Sequence, residues 1–205
     1  AGVELDPWFS PGMIEQPGVA VLVDRGTCGA RADGVCKGAV AELDEQVGRI
    51  RAKLKELDVA ENTLIFFCSD NGAPERNGLA QFFGSTGPFR GYKGSLWEGG
   101  IHAPMIVRWP GTVAAGAKSN ALVEYVDITP TFLDAARLKT PDTMDGRSFL
   151  PVLTGKSVEH KQYTFGVQTT RGIGQGSENF GVRSAGTKTH RYIRNLNPTE
   201  IFKNF

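Results

Sequence analysis

The chain has 205 residues, of which 40% are hydrophobic and 22% are charged, a composition that is ordinary for a folded domain and argues against disorder over the whole length. Lys and Arg number 23 against 22 Asp and Glu, so the net charge of +1 gives no reason to expect nucleic acid or an anionic membrane as a partner. No apolar run reaches the roughly 18 residues of a membrane span. Three cysteines without a CxxC pair indicate neither a disulfide framework nor a zinc site.

The first 37 residues are rich in Gly and Pro and resist assignment to a domain. One apolar run within them, Val19–Asp24, predicts a short buried strand. The N-terminus lacks a basic segment followed by an apolar one, so the printed sequence shows no export signal.

A helix is predicted from Val40 onward by the spacing of apolar residues. They recur at steps of three and four, as on one face of a helix, at Val40, Leu43, Val47, Ile50, Leu54 and Leu57. The stripe lasts only about three heptads, which favours a helix packed against a sheet over a coiled coil.

A buried strand is predicted at Thr63–Cys68, because this apolar and β-branched run is of the kind that is covered on both faces in a parallel sheet. Helix, short loop and buried strand together indicate an α/β fold. Ser69–Gly72 follows at the carboxyl end of the strand, where open α/β sheets place their ligands.

A Gly-rich stretch, Gly72–Gly100, then leads to a second predicted strand at Pro104–Trp109. A stretch of this length without regular structure is typical of a functional loop. Asp127–Leu138 is predicted as a helix that Asp127 caps and that tolerates Pro130 in its first turn, and Ser148–Leu153 as a short helical turn.

The C-terminal part predicts a small antiparallel β subdomain. Its candidate strands alternate with Gly-containing turns and lie at Tyr163–Gln168, Gly181–Ser184 and Thr189–Arg194.

Asp70 and Asn71 offer two hard oxygen ligands from adjacent residues, which suits Ca²⁺ or Mg²⁺ and not a soft metal. Asp, Asn and Gly are also the residues of an ordinary turn, so the two readings stay open on these residues alone.

The run of motifs resembles the sulfatase family, within the alkaline-phosphatase-like superfamily. Roughly residues 40–205 take part in the resemblance, through SDNG at 69–72, GSTGPFRGYKGSLWEGG at 84–100, RWPG at 108–111, VDITPTFLDAA at 126–136 and DGRSFLPVLTG at 145–155. The resemblance implies a partial alkaline-phosphatase-like α/β sheet. Residues 38–155 then form the C-terminal portion of the sulfatase α/β domain, and residues 156–205 form a small C-terminal subdomain.

The resemblance also implies roles for particular residues. Asp70 and Asn71 match the family's second pair of metal ligands, usually for Ca²⁺. Lys93 matches the lysine that binds the sulfate group, which makes it both a substrate-binding and a catalytic residue. Arg171 lies between two candidate strands, where its guanidinium either reaches a substrate anion or stays at the surface.

The family's nucleophile is missing. Sulfatases use a formylglycine made from Cys or Ser at the head of a C/S-x-P/A-x-R segment, whereas Cys28 heads CGARA, with Arg one place too early, and Cys36 heads CKGAV. The paired aspartates that complete the metal site are missing too. The chain is therefore expected to be a fragment that is inactive alone, with the formylglycine in an N-terminal part.

The expected function is hydrolysis of sulfate esters, on a sulfated small molecule or a glycan, with Ca²⁺ or else Mg²⁺ bound. The resemblance suggests a periplasmic, secreted or lysosomal protein. Two alternatives stay open: a phosphatase or phosphonate hydrolase of the same superfamily, and a non-catalytic remnant.

Overall fold

A computed structural model describes residues 35–75, 78–82, 84–169 and 181–199. The chain divides into two compact units, Ala1–Gly116 and Ala117–Phe205. The boundary that the sequence predicts at residue 155 stays a prediction. No helix in the described ranges is both long and apolar enough to cross a membrane.

The first described element is helix α1, Val35–Glu56, which starts five residues earlier than the apolar stripe predicts. Leu43, Val47 and Leu54 are half-buried, but Ile50 is 58% exposed and Leu57, just past the end of the helix, is 57% exposed. The helix is therefore confirmed, although two residues of the predicted apolar stripe are exposed, and its packing against a sheet stays a prediction.

Two short strands, β1 at Ile65–Cys68 and β2 at Met105–Arg108, form the described sheet of this unit. They pair antiparallel, with Cys68 opposite Met105 and Ile65 opposite Arg108. The apolar run had indicated a strand of a parallel sheet, and for this pair that expectation is wrong. The chain leaves β1 at Cys68 and enters β2 beside that same residue, at Met105, so β2 runs in the opposite direction to β1.

The described part of that connection contains two single-turn helices, α2 at Leu79–Phe82 and α3 at Glu98–Ile101. The rest is turn and loop held by backbone hydrogen bonds. The predicted long Gly-rich loop is confirmed in this form.

The second unit contains α4 at Ile128–Ala135 and α5 at Leu150–Leu153. Pro130 is in the first turn of α4, where a missing N–H costs no helical hydrogen bond. Asp127 precedes the helix but its side chain makes no capping hydrogen bond to α4, so the predicted cap is wrong. Its carboxylate bonds elsewhere, as described below.

A three-stranded antiparallel sheet closes the second unit, in the order β3-β4-β5. Its strands are Thr164–Thr169, Gly181–Gly186 and Arg191–Asn195. Burial alternates along β4, where Val182 and Ser184 are buried and Arg183 is exposed, as expected for a sheet with one covered face. The predicted antiparallel subdomain is confirmed.

Candidate metal and sulfate site

The Ser69–Gly72 turn follows β1 directly and folds back on itself. The Ser69 hydroxyl donates to the carbonyl oxygen of Asn71 at 2.8 Å, and Asn71 Nδ2 donates to the carbonyl oxygen of Gly72 at 3.2 Å. The Asp70 side chain is exposed and Asn71 is half-buried. The turn thus presents a carboxylate and an amide at the end of a strand.

Lys93 lies in the loop at residues 91–96, the Lys93 loop, which lies against the chain that leaves this turn. The backbone N–H of Lys93 donates to the carbonyl oxygen of Ala73 at 2.9 Å, and that of Gly72 donates to the carbonyl oxygen of Gly100 at 2.9 Å. The Lys93 side chain is exposed. Two motifs that are about twenty residues apart in sequence are therefore joined through their main chains.

Glycines make this approach possible. A Cβ atom on Gly72 would overlap the carbonyl oxygen of Gly99, and a Cβ atom on Gly99 would overlap that of Gly91. Gly91 also has φ +85°, a backbone conformation that L side chains rarely adopt. Any larger residue at these positions would separate the Lys93 loop from the Ser69–Gly72 turn.

Aromatic and charged side chains surround the loop. The guanidinium of Arg90 stacks over Trp97 at 4.1 Å from the ring centroid. The His102 ring stacks on Phe89 at a centroid distance of 4.7 Å, and its Nδ1 lies 3.0 Å from Glu98 Oε2. His102 is thus held by contacts with Phe89 and Glu98.

The donor chemistry of the turn fits a hard cation in part. Asn71 Nδ2 is engaged with the backbone, which leaves Oδ1 on the opposite side of the amide group as the atom for a cation beside the Asp70 carboxylate. Ca²⁺ takes six to eight oxygen ligands. Within the described ranges no group of three or more His, Cys, Asp or Glu side chains is arranged so that it could hold a metal ion.

A second polar cluster, buried and unpredicted, lies in the second unit around Asp127, which has no exposed surface. Its Oδ1 accepts from the backbone N–H of Arg147 at 3.0 Å and from Lys161 Nζ at 2.8 Å. Its Oδ2 accepts from the backbone N–H of Glu124 at 2.9 Å. One carboxylate thereby joins three separate segments of the chain.

Glu124 extends this network. Its Oε2 accepts from Lys161 Nζ at 2.7 Å and its Oε1 from the backbone N–H of Phe165, in β3, at 2.6 Å. Burial acts to lower the pKa of Lys161, but hydrogen bonds to Asp127 and Glu124 outweigh it and raise that pKa above its ordinary value. The ammonium therefore stays charged between two carboxylates.

The carboxyl of Asp127 is held in its ionised form by the same contacts. Burial acts to raise its pKa, but hydrogen bonds from Lys161 and from the backbone amides of Arg147 and Glu124 bring the pKa below its ordinary value.

His160 completes the cluster with a ring that is 5% exposed. Its Nε2 lies 3.2 Å from Asp127 Oδ2, yet it has no hydrogen-bond partner among the described residues. Burial lowers the pKa of His160, and the nearby Asp127 carboxylate offsets this only in part. The imidazole is therefore held neutral near pH 7.

Acid should destabilise the chain through this histidine. Because its pKa is lower folded than unfolded, the stabilisation is complete above about pH 6.5 and is lost as the pH falls below that value, at no more than about 1.4 kcal/mol per pH unit. We expect the urea midpoint of the chain to fall between pH 7.5 and 5.5 and the fall to be smaller in His160→Gln.

The matched control is His190→Gln, the same substitution at an exposed histidine of the same unit. Equal pH slopes in the wild-type chain and in His160→Gln would contradict the assignment.

Three of the residues that the sequence predicts for the site, Asp70, Asn71 and Lys93, lie on two loops that are hydrogen-bonded together. Arg171 lies outside the described residues, and its role in substrate binding stays a prediction. The Asp127 cluster and the Arg90–Trp97 stack were not predicted. The sequence offered only faint signals for them, an acidic residue within VDITP and an aromatic residue after the Lys93 loop.

Two protein-family models match this chain. The model of the Sulfatase family matches residues 24–138, and the model described as N-sulphoglucosamine sulphohydrolase, C-terminal, matches residues 89–204. The chain is 34% identical over 166 residues to an ulvan-active sulfatase of Formosa agariphila, an alignment that covers 80% of this chain and 30% of that protein. It is 38% identical over 156 residues to an N-acetylgalactosamine-6-sulfatase of Sus scrofa, covering 75% of this chain and 30% of that protein.

Solved structures share the fold. A protein in complex with its substrate D-glucosamine-2-N,6-O-disulfate gives a TM-score of 0.62 at 23% identity, over 79% of this chain and 31% of its own. A phosphonate monoester hydrolase from Silicibacter pomeroyi gives 0.58 at 25% identity, over 75% of this chain and 30% of its own. Because the first family model alone matches more than half of the 205 residues, the chain belongs to the sulfatase family, within the alkaline-phosphatase-like superfamily.

Proposed function

We propose that this chain supplies part of the active site of a sulfatase that hydrolyses sulfate esters of carbohydrates. The observation that carries the proposal is the hydrogen-bonded pairing of the Asp70–Asn71 turn with the Lys93 loop. The chain spans 30% of the length of the two relatives described above, so the reaction is proposed for the intact protein.

Lys93 is proposed to bind the sulfate group. Its ammonium is exposed on a loop of restricted conformation, and a positive charge near a sulfate oxygen stabilises negative charge that shifts during S–O cleavage. Hydrolysis adds water across the S–O bond and releases an alcohol, sulfate and a proton. A formylglycine expected outside this chain supplies the nucleophile.

Asp70 and Asn71 are proposed to hold a divalent cation, Ca²⁺ or else Mg²⁺. Such a cation, when bound, polarises the sulfate oxygens. Asp70 Oδ and Asn71 Oδ1 would orient it beside the Lys93 loop, and the remaining ligands come from residues that this chain does not contain. Arg171 is proposed as a further contact to the substrate anion.

The sulfated carbohydrate is inferred from relatives whose names specify ulvan and N-acetylgalactosamine-6-sulfate activity. The intact protein should therefore release sulfate from a sulfated glycan or its monosaccharide unit. From the family we also infer a periplasmic, secreted or lysosomal location, which fractionation of the source cells would test.

The direct test is an assay of the intact protein with an aryl sulfate and a phenylphosphonate ester in parallel. Preferential turnover of the sulfate supports the proposal. Preference for the phosphonate would place the protein with its phosphonate hydrolase neighbour, and no turnover of either would indicate a non-catalytic remnant. Sulfatase-like turnover by these 205 residues alone would overturn the view that the chain is only part of the site.

Replacing Asp70 by alanine should weaken Ca²⁺ binding by the intact protein, because a charged oxygen ligand is removed from the shell. We expect a loss of about tenfold or more in affinity, in line with the sensitivity of Ca²⁺ sites to the number of charged ligands. Isothermal titration of metal-stripped protein measures this.

Asp142→Ala is the control for the metal measurement, since Asp142 is an exposed carboxylate in the second unit. Unchanged affinity in Asp70→Ala would return Ser69–Gly72 to the status of an ordinary turn.

A further inference from the structure

The loop that carries Lys93 is closed at its base by Arg90 and Trp97. The Arg90 guanidinium carbon lies 4.1 Å from the centroid of the Trp97 ring. The carbonyl oxygen of Arg90 accepts a hydrogen bond from the backbone N–H of Gly99 at 2.8 Å. Both contacts join the two ends of the segment 91–96.

The segment between these ends is itself bonded and has little room to shift. The Ser95 backbone N–H and hydroxyl both donate to the carbonyl oxygen of Tyr92, at 3.1 and 2.8 Å. A Cβ atom on Gly91 would come within 2.6 Å of both the Ser95 hydroxyl and Trp97 Cβ. The loop therefore moves as a unit, and its orientation depends on how its base is held.

At that base the side chains of Arg90 and Trp97 are in contact through the stack. Arg90 is exposed and Trp97 is 37% exposed, so the stack lies at the surface of the first unit. A guanidinium lies flat on an indole and is attracted to the face of the ring, a geometry that the ammonium of a lysine does not reproduce.

We propose that Arg90 and Trp97 are positioning residues that act through Lys93. Their stack holds the base of the Lys93 loop in place against the Ser69–Gly72 turn. The proposal rests on the proposed function of Lys93. Neither side chain is required to touch the substrate. The backbone bonds from Lys93 to Ala73 and from Gly99 to Arg90 connect the stack to the loop, so a change in the stack changes the position of Lys93.

The test compares Arg90→Ala in two backgrounds of the intact sulfatase. In the wild-type background we expect kcat/KM for an aryl sulfate to fall about fivefold, the upper end of the range for an exposed cation–π stack. In the Lys93→Ala background the same change should cost less than about twofold, because residues that act through one group are not additive.

An equal loss of kcat/KM in both backgrounds would overturn the proposal, because a general loss of folded protein lowers kcat/KM whether or not Lys93 is present. The midpoint of thermal unfolding of each variant is measured alongside. A fall in kcat/KM of under about threefold for Lys93→Ala itself would contradict the proposed role of Lys93. That outcome is distinct from one in which only the positioning role of Arg90 and Trp97 fails.

Conservative variants keep the test usable if Arg90→Ala folds poorly. Trp97→Phe retains an aromatic face and should keep kcat/KM within about threefold of the wild-type value, while Trp97→Ala should match Arg90→Ala. Arg90→Lys keeps the charge and loses the flat stack, so an activity equal to wild type would also overturn the proposal. Arg49→Ala, on the exposed face of α1, is the matched control and should leave kcat/KM unchanged.

Discussion

Replacing Lys93 by alanine in the intact sulfatase should lower kcat/KM for an aryl sulfate by about 10²–10³-fold, which corresponds to ~3 to 4 kcal/mol of transition-state stabilisation. The loss is large because the variant removes an ammonium that is proposed to stabilise charge on the sulfate oxygens, and the loop that carries it is anchored by the backbone bonds from Lys93 to Ala73 and from Gly99 to Arg90. Steady-state kinetics measure it.

Two further variants sharpen the reading of Lys93. Lys93→Arg keeps the charge but spreads it over a planar fork, and we expect only partial recovery of turnover. Lys55→Ala removes an exposed lysine from the last turn of α1 and should leave kcat/KM unchanged. A loss of under about threefold in Lys93→Ala would remove this residue from the sulfate site.

Replacing Asp127 by asparagine should destabilise the second unit by about 3 to 5 kcal/mol, the usual cost of removing one partner from a buried ion pair. The variant has almost the same shape but no charge to pair with Lys161, and its amide nitrogen faces either the Lys161 ammonium or backbone N–H groups that need an acceptor. Amide hydrogen exchange in β4 reports directly on this unit.

Tryptophan fluorescence supplies an internal reference for that experiment. All three tryptophans precede residue 117, and Trp97 and Trp109 lie in the described part of the first unit, so tryptophan emission reports on residues outside the second unit. We expect β4 amides to lose protection in Asp127→Asn while the fluorescence midpoint changes little.

The matched control is Asp142→Asn, whose carboxylate is 91% exposed and lies 3.8 Å from Lys139. An exposed pair of this kind contributes little, so the control should behave as the wild-type chain. Wild-type protection of β4 in Asp127→Asn would show that the cluster is dispensable for folding.

Local patterns predicted the helices and strands well where the signal is short in range. The apolar period of three and four identified α1, and alternation between Gly-containing turns identified β3 to β5. The direction of pairing between β1 and β2 was not accessible, because a buried apolar run carries no information about which way its neighbour runs.

The candidate site was predicted from motif order, with Asp70, Asn71 and Lys93 taken from the resemblance to sulfatases. The Asp127 cluster was missed for a physical reason. Asp127 directly precedes a helix, and an acid at that position usually caps the helix, whereas the segments at 147 and 160–161 converge on this carboxylate only after the chain has folded. His160 and Lys161 carry no local signal of such a partner.

The sequence by itself determined the family, the composition of the two loops and the glycines that let them meet. Glycine is recognisable in a sequence because its small size is a property of the residue, whatever lies beside it. Tertiary structure alone decided that Gly72 meets Gly99, that Arg90 stacks on Trp97 and that Asp127 bonds Lys161. Those contacts join residues from seven to more than thirty positions apart, and hydrogen bonds and packing between such residues exist only once the backbone has brought them together.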